Sequence, residues 1–180
     1  ISMVVQDHPA STQVHMSIPL LLRLVQELPQ VACFKEEGVP TPARVQALLQ
    51  GMTSRKVPIL TGLGALYGLF DLRSGSSGFM TGFAFPEVLM AMVQAANDQD
   101  QAQAAAIYRH FLPLIVFEQQ PGIAIRKELF RLRGLLADGT VRHPGAPLKP
   151  GSVVQLAELL QEVLPDIDLG KRLNPTAVMI

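Results

Sequence analysis

The stretch Val31–Glu37, with the sequence VACFKEE, decides the fold of this chain. A short apolar run that ends in a lysine and two carboxylates, followed by Gly38 and Pro40, is typical of a buried parallel strand. Such a strand presents its last side chain at its carboxyl end, and here that side chain is Lys35. The stretch therefore predicts a parallel α/β sheet with a lysine at the edge where the strands end.

Lys35 is the first candidate for chemistry. A lysine at the mouth of a low-dielectric strand layer loses solvation as an ammonium, and the neutral amine is a nucleophile that attacks a carbonyl to form a Schiff base. The alternative interpretation is structural, because a lysine after an apolar run is commonly a solvated strand end. The local pattern leaves both interpretations open.

The first part of the chain alternates strand-like and helix-like segments, and the rest contains helices alone. Four strands with short connections to the helices that follow them indicate parallel βα units. Ser17 and Thr41 are predicted to start helices, and Pro29 to end one. The predicted strands are 1–5, 31–35, 57–61 and 78–82, helices begin near 17, 41, 65 and 86, and later helices occupy 101–117, 123–136 and 152–164, before a weakly periodic tail, 166–180, that is expected to fray.

The composition indicates a globular protein whose partner is a small molecule. Of the 180 residues, 48% are hydrophobic and 17% are charged, which is far from the composition of disordered chains. Acidic and basic residues number 15 each, so no net field favours nucleic acid or an anionic membrane. The basic residues within 126–133 have no interleaved aromatic residues and are interpreted as a solvated helix face.

The cysteine and histidine content points to a reducing compartment and to no metal. Cys33 is the single cysteine and cannot form an intramolecular disulfide, and the four histidines are scattered without metal-ligand spacing. The first residues have no signal-peptide pattern, so we expect a cytoplasmic location. The chain opens on a strand-like run without a leader methionine, which predicts that it begins within a larger fold.

Three strand-end motifs, Phe34–Glu36, Thr61–Gly64 and Gly78–Gly82, together with the corner Gln6–Pro9, resemble the C-terminal half of the dihydrodipicolinate synthase and N-acetylneuraminate lyase family. The likeness covers most of the chain. It implies an α/β fold, the second half (strands 5–8) of a (β/α)8 TIM barrel followed by a C-terminal helical extension. The family is usually tetrameric, so a homo-oligomer is expected.

The resemblance assigns residues 1–97 to the barrel half and 98–180 to the helical region. It implies a lyase that needs no cofactor and forms an imine between Lys35 and the ketone of a 2-keto acid. Gly62 matches the glycine that lets backbone approach the substrate, and Met80 matches a residue whose backbone carbonyl lies close to the lysine. These positions fit the rule that barrel chemistry gathers at the carboxyl ends of strands.

Two departures from the family separate this chain from true dihydrodipicolinate synthases. Gln6 stands where the family usually has a tyrosine, and an amide cannot act as an acid or base near neutral pH. Ser11 stands where the synthases have an arginine that grips the aldehyde substrate. A glutamine and an aspartate in this corner are more similar to the sugar-acid dehydratases, such as the 2-keto-3-deoxyarabonate dehydratases. Gln6 therefore remains a substrate-binding candidate.

The proton-transfer groups have to be found elsewhere. Asp7 and His8 are the nearby titratable candidates, although both residue types also form turns beside a proline. Thr81 is a candidate donor to substrate oxygens, or a strand-end residue that satisfies backbone. Glu36 either neutralises local charge or packs at a subunit edge, or it is a solvated carboxylate, and the last is the expectation.

Two functions therefore follow from the sequence. The first is a Schiff-base class I lyase acting on a 2-keto acid, by aldol cleavage or condensation or by dehydration of a keto-deoxy sugar acid. The second is a non-catalytic scaffold or oligomerisation protein, a degenerate barrel that keeps Lys35 but not the chemistry. The threonine pair that holds the substrate carboxylate in the family belongs to the N-terminal half, which this sequence does not contain.

Overall fold

The computed structural model describes residues 1–120 and 122–179. Its contacts divide the chain into two compact units, Ile1–Thr81 and the residues from Gly82 onward. The predicted division at residues 97 and 98 stays a prediction, and its second part includes Pro121 and Ile180, which lie outside the described residues.

The first unit contains a parallel sheet of four strands in the order β1-β2-β3-β4. The third strand begins after Pro58, which has no N–H to donate to the ladder, and is therefore shorter than the sequence predicted. The fourth is also shorter. The strands are β1 (Met3–Asp7), β2 (Val31–Glu36), β3 (Ile59–Thr61) and β4 (Gly78–Phe79).

Two helices of the first unit begin within one residue of their predicted starts, whereas the helix predicted from about residue 65 begins at Gly68, after a 3-10 turn. Ser17 caps its helix as predicted, because its hydroxyl accepts from the Leu20 N–H at 3.3 Å. The four-residue helix at Pro9 was not predicted. Pro9 was interpreted as the end of a strand, but proline is also favoured at the first position of a helix. The helices are α1 (Pro9–Thr12), α2 (Ile18–Glu27), α3 (Thr41–Gly51), a 3-10 turn (Leu63–Ala65) and α4 (Gly68–Arg73).

Two of these helices and the sheet bury the core of the first unit. Burial of this apolar surface stabilises the packing of β2 and β3 against the helices. The core contains Leu21, Val25, Val31, Phe34, Val45, Leu48, Met52, Val57 and Ile59.

The second unit is helical. The helix predicted at 101–117 has those bounds, and Asp100 caps it by accepting from the Gln103 N–H at 2.9 Å. The next helix ends four residues before its predicted end, because Gly134 takes a left-handed conformation that stops it. The helices are α5 (Pro86–Asn97), α6 (Gln101–Phe117), α7 (Ile123–Leu132) and α8 (Pro150–Val163).

A buried ion pair corrects two expectations for the second unit. Arg133, interpreted as part of a solvated face, is 8% exposed, pairs with Glu87 and covers the Phe85 ring at 4.9 Å. The tail, expected to fray, is attached where the Leu173 N–H donates to Glu87 Oε1 at 3.2 Å. None of the helices within the described residues is long and apolar enough to cross a membrane.

Candidate active site

The ends of β1 and β2 lie side by side and carry two clusters of polar side chains. In the register of these strands, Gln6 is opposite Lys35 and Asp7 is opposite Glu36. Because successive side chains of a strand point to opposite faces, the first pair shares one face of the sheet and the second pair shares the other. We call them the lysine cluster (Gln6, His8, Lys35, Glu37 and the Gly62–Leu63 backbone) and the arginine cluster (Asp7, Glu36 and Arg44).

Glu37 is the centre of the lysine cluster. Its Oε2 atom lies 3.2 Å from Lys35 Nζ and 3.8 Å from His8 Nδ1, and accepts from the Gln6 amide at 2.5 Å. Its Oε1 atom accepts from the Leu63 N–H at 2.9 Å. The Glu37 side chain is 5% exposed and that of Lys35 is 18% exposed. One buried carboxylate thus contacts the lysine, the amide and the histidine that the sequence singled out.

Gly62 makes this arrangement sterically possible. A Cβ atom at this position would overlap the carboxyl group of Glu37. The close approach of the two residues therefore requires glycine, and it also brings the Leu63 N–H within bonding distance. The approach of substrate to the Gly62 backbone stays a prediction.

The contacts of Glu37 determine its charge. Burial raises the pKa of this carboxyl, but the Leu63 N–H, the Gln6 amide and the Lys35 ammonium together outweigh burial and hold the pKa below its usual range. Glu37 is therefore ionised at neutral pH. The partial desolvation that the sequence predicted for Lys35 is accompanied by a counter-ion at hydrogen-bond distance.

The arginine cluster is more deeply buried. Asp7 is 3% exposed and Glu36 is 1% exposed, so the expectation that Glu36 is solvated is wrong. Arg44, from α3, donates to both carboxylates: Nε to Glu36 Oε1 at 3.0 Å, and Nη2 to Asp7 Oδ2. Nη2 also donates to the Met16 carbonyl at 3.1 Å. Burial is the largest cause of a raised pKa of Glu36, and the charge of Asp7 adds to it.

The structure brings together some of the predicted site residues. Gln6, His8, Lys35 and Gly62 all lie around Glu37. Asp7 does not join them, because it lies on the opposite face with Arg44. Its assignment as an acid or base is not supported by this position.

Met80 and Thr81 follow β4 and make backbone contacts. The Met80 N–H donates to the Thr61 carbonyl at 2.9 Å, and the Thr81 hydroxyl accepts from the Gly64 N–H at 2.7 Å. The second contact is the backbone-satisfying alternative for Thr81. Substrate contacts of both residues stay predictions.

Glu37 is the site residue that sequence reasoning missed. It follows Lys35 by two positions, and residues two apart in an extended chain share a face. This signal was present, whereas Glu36, one position from the lysine, belongs on the other face. A cavity of about 300 Å³ beside Glu37 is lined also by Pro9, Ala10, Gln13, His15 and Val39.

Metal-ligating side chains are not gathered at this site or elsewhere in residues 1–120 and 122–179. No group of three or more His, Cys, Asp or Glu side chains there is placed to hold a metal ion.

The chain is similar in sequence to one characterised enzyme. It is 34% identical over 167 residues to the L-2-keto-3-deoxyarabonate dehydratase of Azospirillum brasilense, a match that covers 92% of this chain and 53% of the relative. No protein-family model matches the chain. The scaffold alternative is not favoured by this similarity.

Solved structures confirm the predicted fold. The dihydrodipicolinate synthase of Rhodopseudomonas palustris superposes with a TM-score of 0.87 at 29% identity, over 90% of this chain and 56% of that one. The 4-hydroxy-tetrahydrodipicolinate synthase of Methylacidiphilum fumariolicum SolV gives 0.79 at 24% identity, over 91% and 54%, and supports the fold alone. The chain thus spans about half the length of its relatives, and its sheet and helices are a partial (β/α)8 barrel with a helical extension.

Proposed function

Because the chain is a relative of the dihydrodipicolinate synthase and N-acetylneuraminate lyase family, on its dehydratase-like side, we propose that the protein is a Schiff-base-forming lyase. It acts on a 2-keto acid through an imine on Lys35. The observation that carries the proposal is the Lys35–Glu37 contact of 3.2 Å at the carboxyl ends of the strands. Assembly as a homo-oligomer, a tetramer by family resemblance, belongs to the same proposal.

Imine formation uses the two charges of this pair. Glu37 accepts a proton from the Lys35 ammonium, and the neutral amine attacks the ketone carbon of the substrate. Glu37 then returns this proton to the carbinolamine hydroxyl, which leaves as water, so that a positively charged iminium and an ionised Glu37 result. The Glu37 carboxylate, ionised at neutral pH, is the nearest counter-ion for that charge in the described cluster.

The favoured reaction is dehydration of a keto-deoxy sugar acid. The iminium withdraws electrons from the C2–C3 bond, so a base removes a proton from C3 and an enamine forms. The enamine then expels the C4 hydroxyl, which leaves as water after taking up a proton. A carboxylate next to the lysine is well placed for C3, which is directly bonded to the imine carbon.

His8 connects this carboxylate to the surface. Its Nδ1 lies 3.8 Å from Glu37, its Nε2 lies 3.5 Å from the Ser11 hydroxyl, and its side chain is 25% exposed. We assign to His8 the exchange of protons between Glu37 and solvent. Gln6, whose amide donates to Glu37, orients the carboxylate without taking part in proton transfer.

Product analysis with the full-length protein tests the proposed reaction. The protein is incubated with 2-keto-3-deoxy sugar acids, and the products are separated and identified by mass spectrometry. Dehydration gives a product that has lost one water, and aldol cleavage gives pyruvate and an aldehyde. We expect the wild type to give the dehydrated product and Lys35→Ala to give none. Formation of pyruvate and an aldehyde instead would show that the reaction is aldol cleavage and not dehydration.

A further inference from the structure

Arg44 fixes the backbone on both sides of Glu37. Glu36 Oε1, which accepts from Arg44 Nε at 3.0 Å, also accepts from the Gly38 N–H at 2.6 Å. The Glu37 N–H donates to the Asp7 carbonyl at 2.9 Å. The peptide that carries Glu37 is therefore attached to the arginine cluster before, at and after that residue.

Gly38 shows how closely the guanidinium fits against this turn. A Cβ atom at Gly38 would lie 2.7 Å from Arg44 Nε and 2.9 Å from Glu36 Oε1. Both distances are shorter than a carbon atom tolerates without movement of its neighbours. The guanidinium therefore packs directly against this turn.

The charges of the arginine cluster make Arg44 necessary. Asp7 and Glu36 are opposite each other in the register of β1 and β2, and both are buried. Without the guanidinium, the two buried carboxyls lose the shared donor and counter-ion that joins the strand ends. Separation of these ends displaces Lys35, which immediately precedes Glu36, and Glu37, which follows it.

We infer that Arg44 is a positioning residue that holds Lys35 and Glu37 at the distance needed for imine formation. The inference rests on the proposed function. Arg44 acts from the opposite face of the sheet, through Glu36 and the Gly38 turn. Its role is to place the amine and the carboxylate, not to contact the substrate.

Arg55 is a matched control at the other end of β2. Its guanidinium donates to the carbonyls of Val25 at 2.9 Å, Leu28 at 3.1 Å and Pro29 at 2.9 Å, and to that of Val31. It is thus an arginine with several bonds to the same unit, attached where β2 begins instead of where it ends. Its loss should lower stability without moving the lysine cluster.

The test is the rate of borohydride trapping of a pyruvate imine on Lys35 in the full-length protein, for the wild type, Arg44→Met, Arg44→Lys and Arg55→Met. Misplacement of reacting groups by about 1 Å costs up to about 10²-fold, so we expect Arg44→Met to lower the maximal trapping rate by about that factor. The pyruvate concentration for half-maximal rate should stay unchanged. Arg44→Lys should recover part of the rate, and Arg55→Met should lower Tm but keep the rate.

The outcomes separate the inference from the proposed function. Equal maximal rates for Arg44→Met and the wild type, or an equal loss of rate in Arg55→Met at an equal loss of Tm, overturn the positioning role alone. No adduct in the wild type overturns the proposed function and the inference with it. If Arg44→Met does not fold, Gly38→Ala, which displaces the guanidinium without removing its charge, decides by the same comparison of rates.

Discussion

The lysine cluster and the arginine cluster lie at the same strand ends, yet the pKa values of their neighbouring glutamates, Glu37 and Glu36, shift in opposite directions. Burial raises the pKa of both carboxyls, and for Glu37 the Leu63 N–H, the Gln6 amide and Lys35 reverse that effect. For Glu36 burial prevails over Arg44 and the Gly38 N–H, and the charge of Asp7 opposes ionisation further. The face of the sheet, and not proximity in sequence, therefore decides which carboxylate contacts Lys35.

The strongest test of this comparison is a pair of isosteric substitutions. Glu37→Gln removes the proposed proton acceptor beside Lys35, and loss of general acid–base catalysis typically costs about 10²–10⁴-fold, so kcat should fall by that factor. Glu36→Gln keeps an oxygen for the Gly38 N–H and Arg44 Nε, and kcat should change far less. The measurement is steady-state turnover of the keto-deoxy sugar acid that the wild type uses best. Equal losses in the two variants would show that the faces do not divide the roles.

Much of the fold could be predicted from sequence, because apolar periodicity indicates which side chains are buried and prolines mark the ends of helices and strands. All four strands are present, and the bounds of α6 were predicted without error. Local signals were ambiguous where a residue has two structural uses, as at Pro9, which starts α1.

The site was only partly predictable, because several of its contacts join residues that are distant in sequence. Lys35, Gln6 and His8 were found from residue type and position, and they lie together. The burial of Glu36 and the pairing of Asp7 were not predicted, because their partner Arg44 comes from a helix and lies 8 and 37 residues away along the chain. The sequence around a single charged residue has no pattern that predicts such a pairing. The assignment of Asp7 as an acid or base stays a prediction.

Glu118, in the second unit, is a further buried carboxyl whose pKa can be compared with those of Glu36 and Glu37. Glu118 is 1% exposed, accepts from the Ala84 N–H at 2.9 Å and lies 3.5 Å from Arg126 Nε. Burial, opposed by the Ala84 N–H and Arg126, raises its pKa from 4.5 to about 7. Like Glu36, and unlike Glu37, it is therefore a carboxyl for which burial prevails.

The pH dependence of unfolding checks this assignment. The folded state holds the Glu118 proton more tightly than the unfolded state, so this contribution is fully present below pH 4.5 and is lost as the pH rises to about 7. The loss corresponds to about 3 kcal/mol. Glu118→Gln should remove this part of the dependence in denaturant titrations at about pH 5 and about pH 8. An unchanged difference between the two pH values would contradict the raised pKa.

Two glycine substitutions test the geometry of the lysine cluster. Gly62→Ala places a methyl group against the Glu37 carboxyl, so overpacking should cost about 1–3 kcal/mol and slow imine trapping. Gly151→Ala is the control, because no atom lies within 4 Å of its added carbon and alanine is favoured in a helix by about 0.5–1 kcal/mol. Thermal unfolding and trapping rates measure both. A Gly62→Ala protein as active and stable as the control would disprove the close contact.

The smallest expected effect is a difference in pH slope between the two neighbouring glutamates. The lowered pKa of Glu37 gives a stability contribution that is present above pH 4.5 and lost as the pH falls below it. The raised pKa of Glu36 gives one that is lost as the pH rises above 4.5. In a plot of the free energy of unfolding against pH, Glu37→Gln should reduce the slope below pH 4.5. Glu36→Gln should reduce the slope above pH 4.5. Slopes of the same sign for the two residues would remove the distinction between the clusters.

The covalent state of Lys35 after reduction tests most directly whether this lysine forms an imine. The full-length protein is incubated with pyruvate, reduced with borohydride and digested, and the peptides are examined by mass spectrometry. We expect a reduced adduct on Lys35 in the wild type and no adduct in Lys35→Ala. No adduct from pyruvate or from a panel of longer 2-keto acids would mean that the lysine is structural and that the scaffold alternative holds.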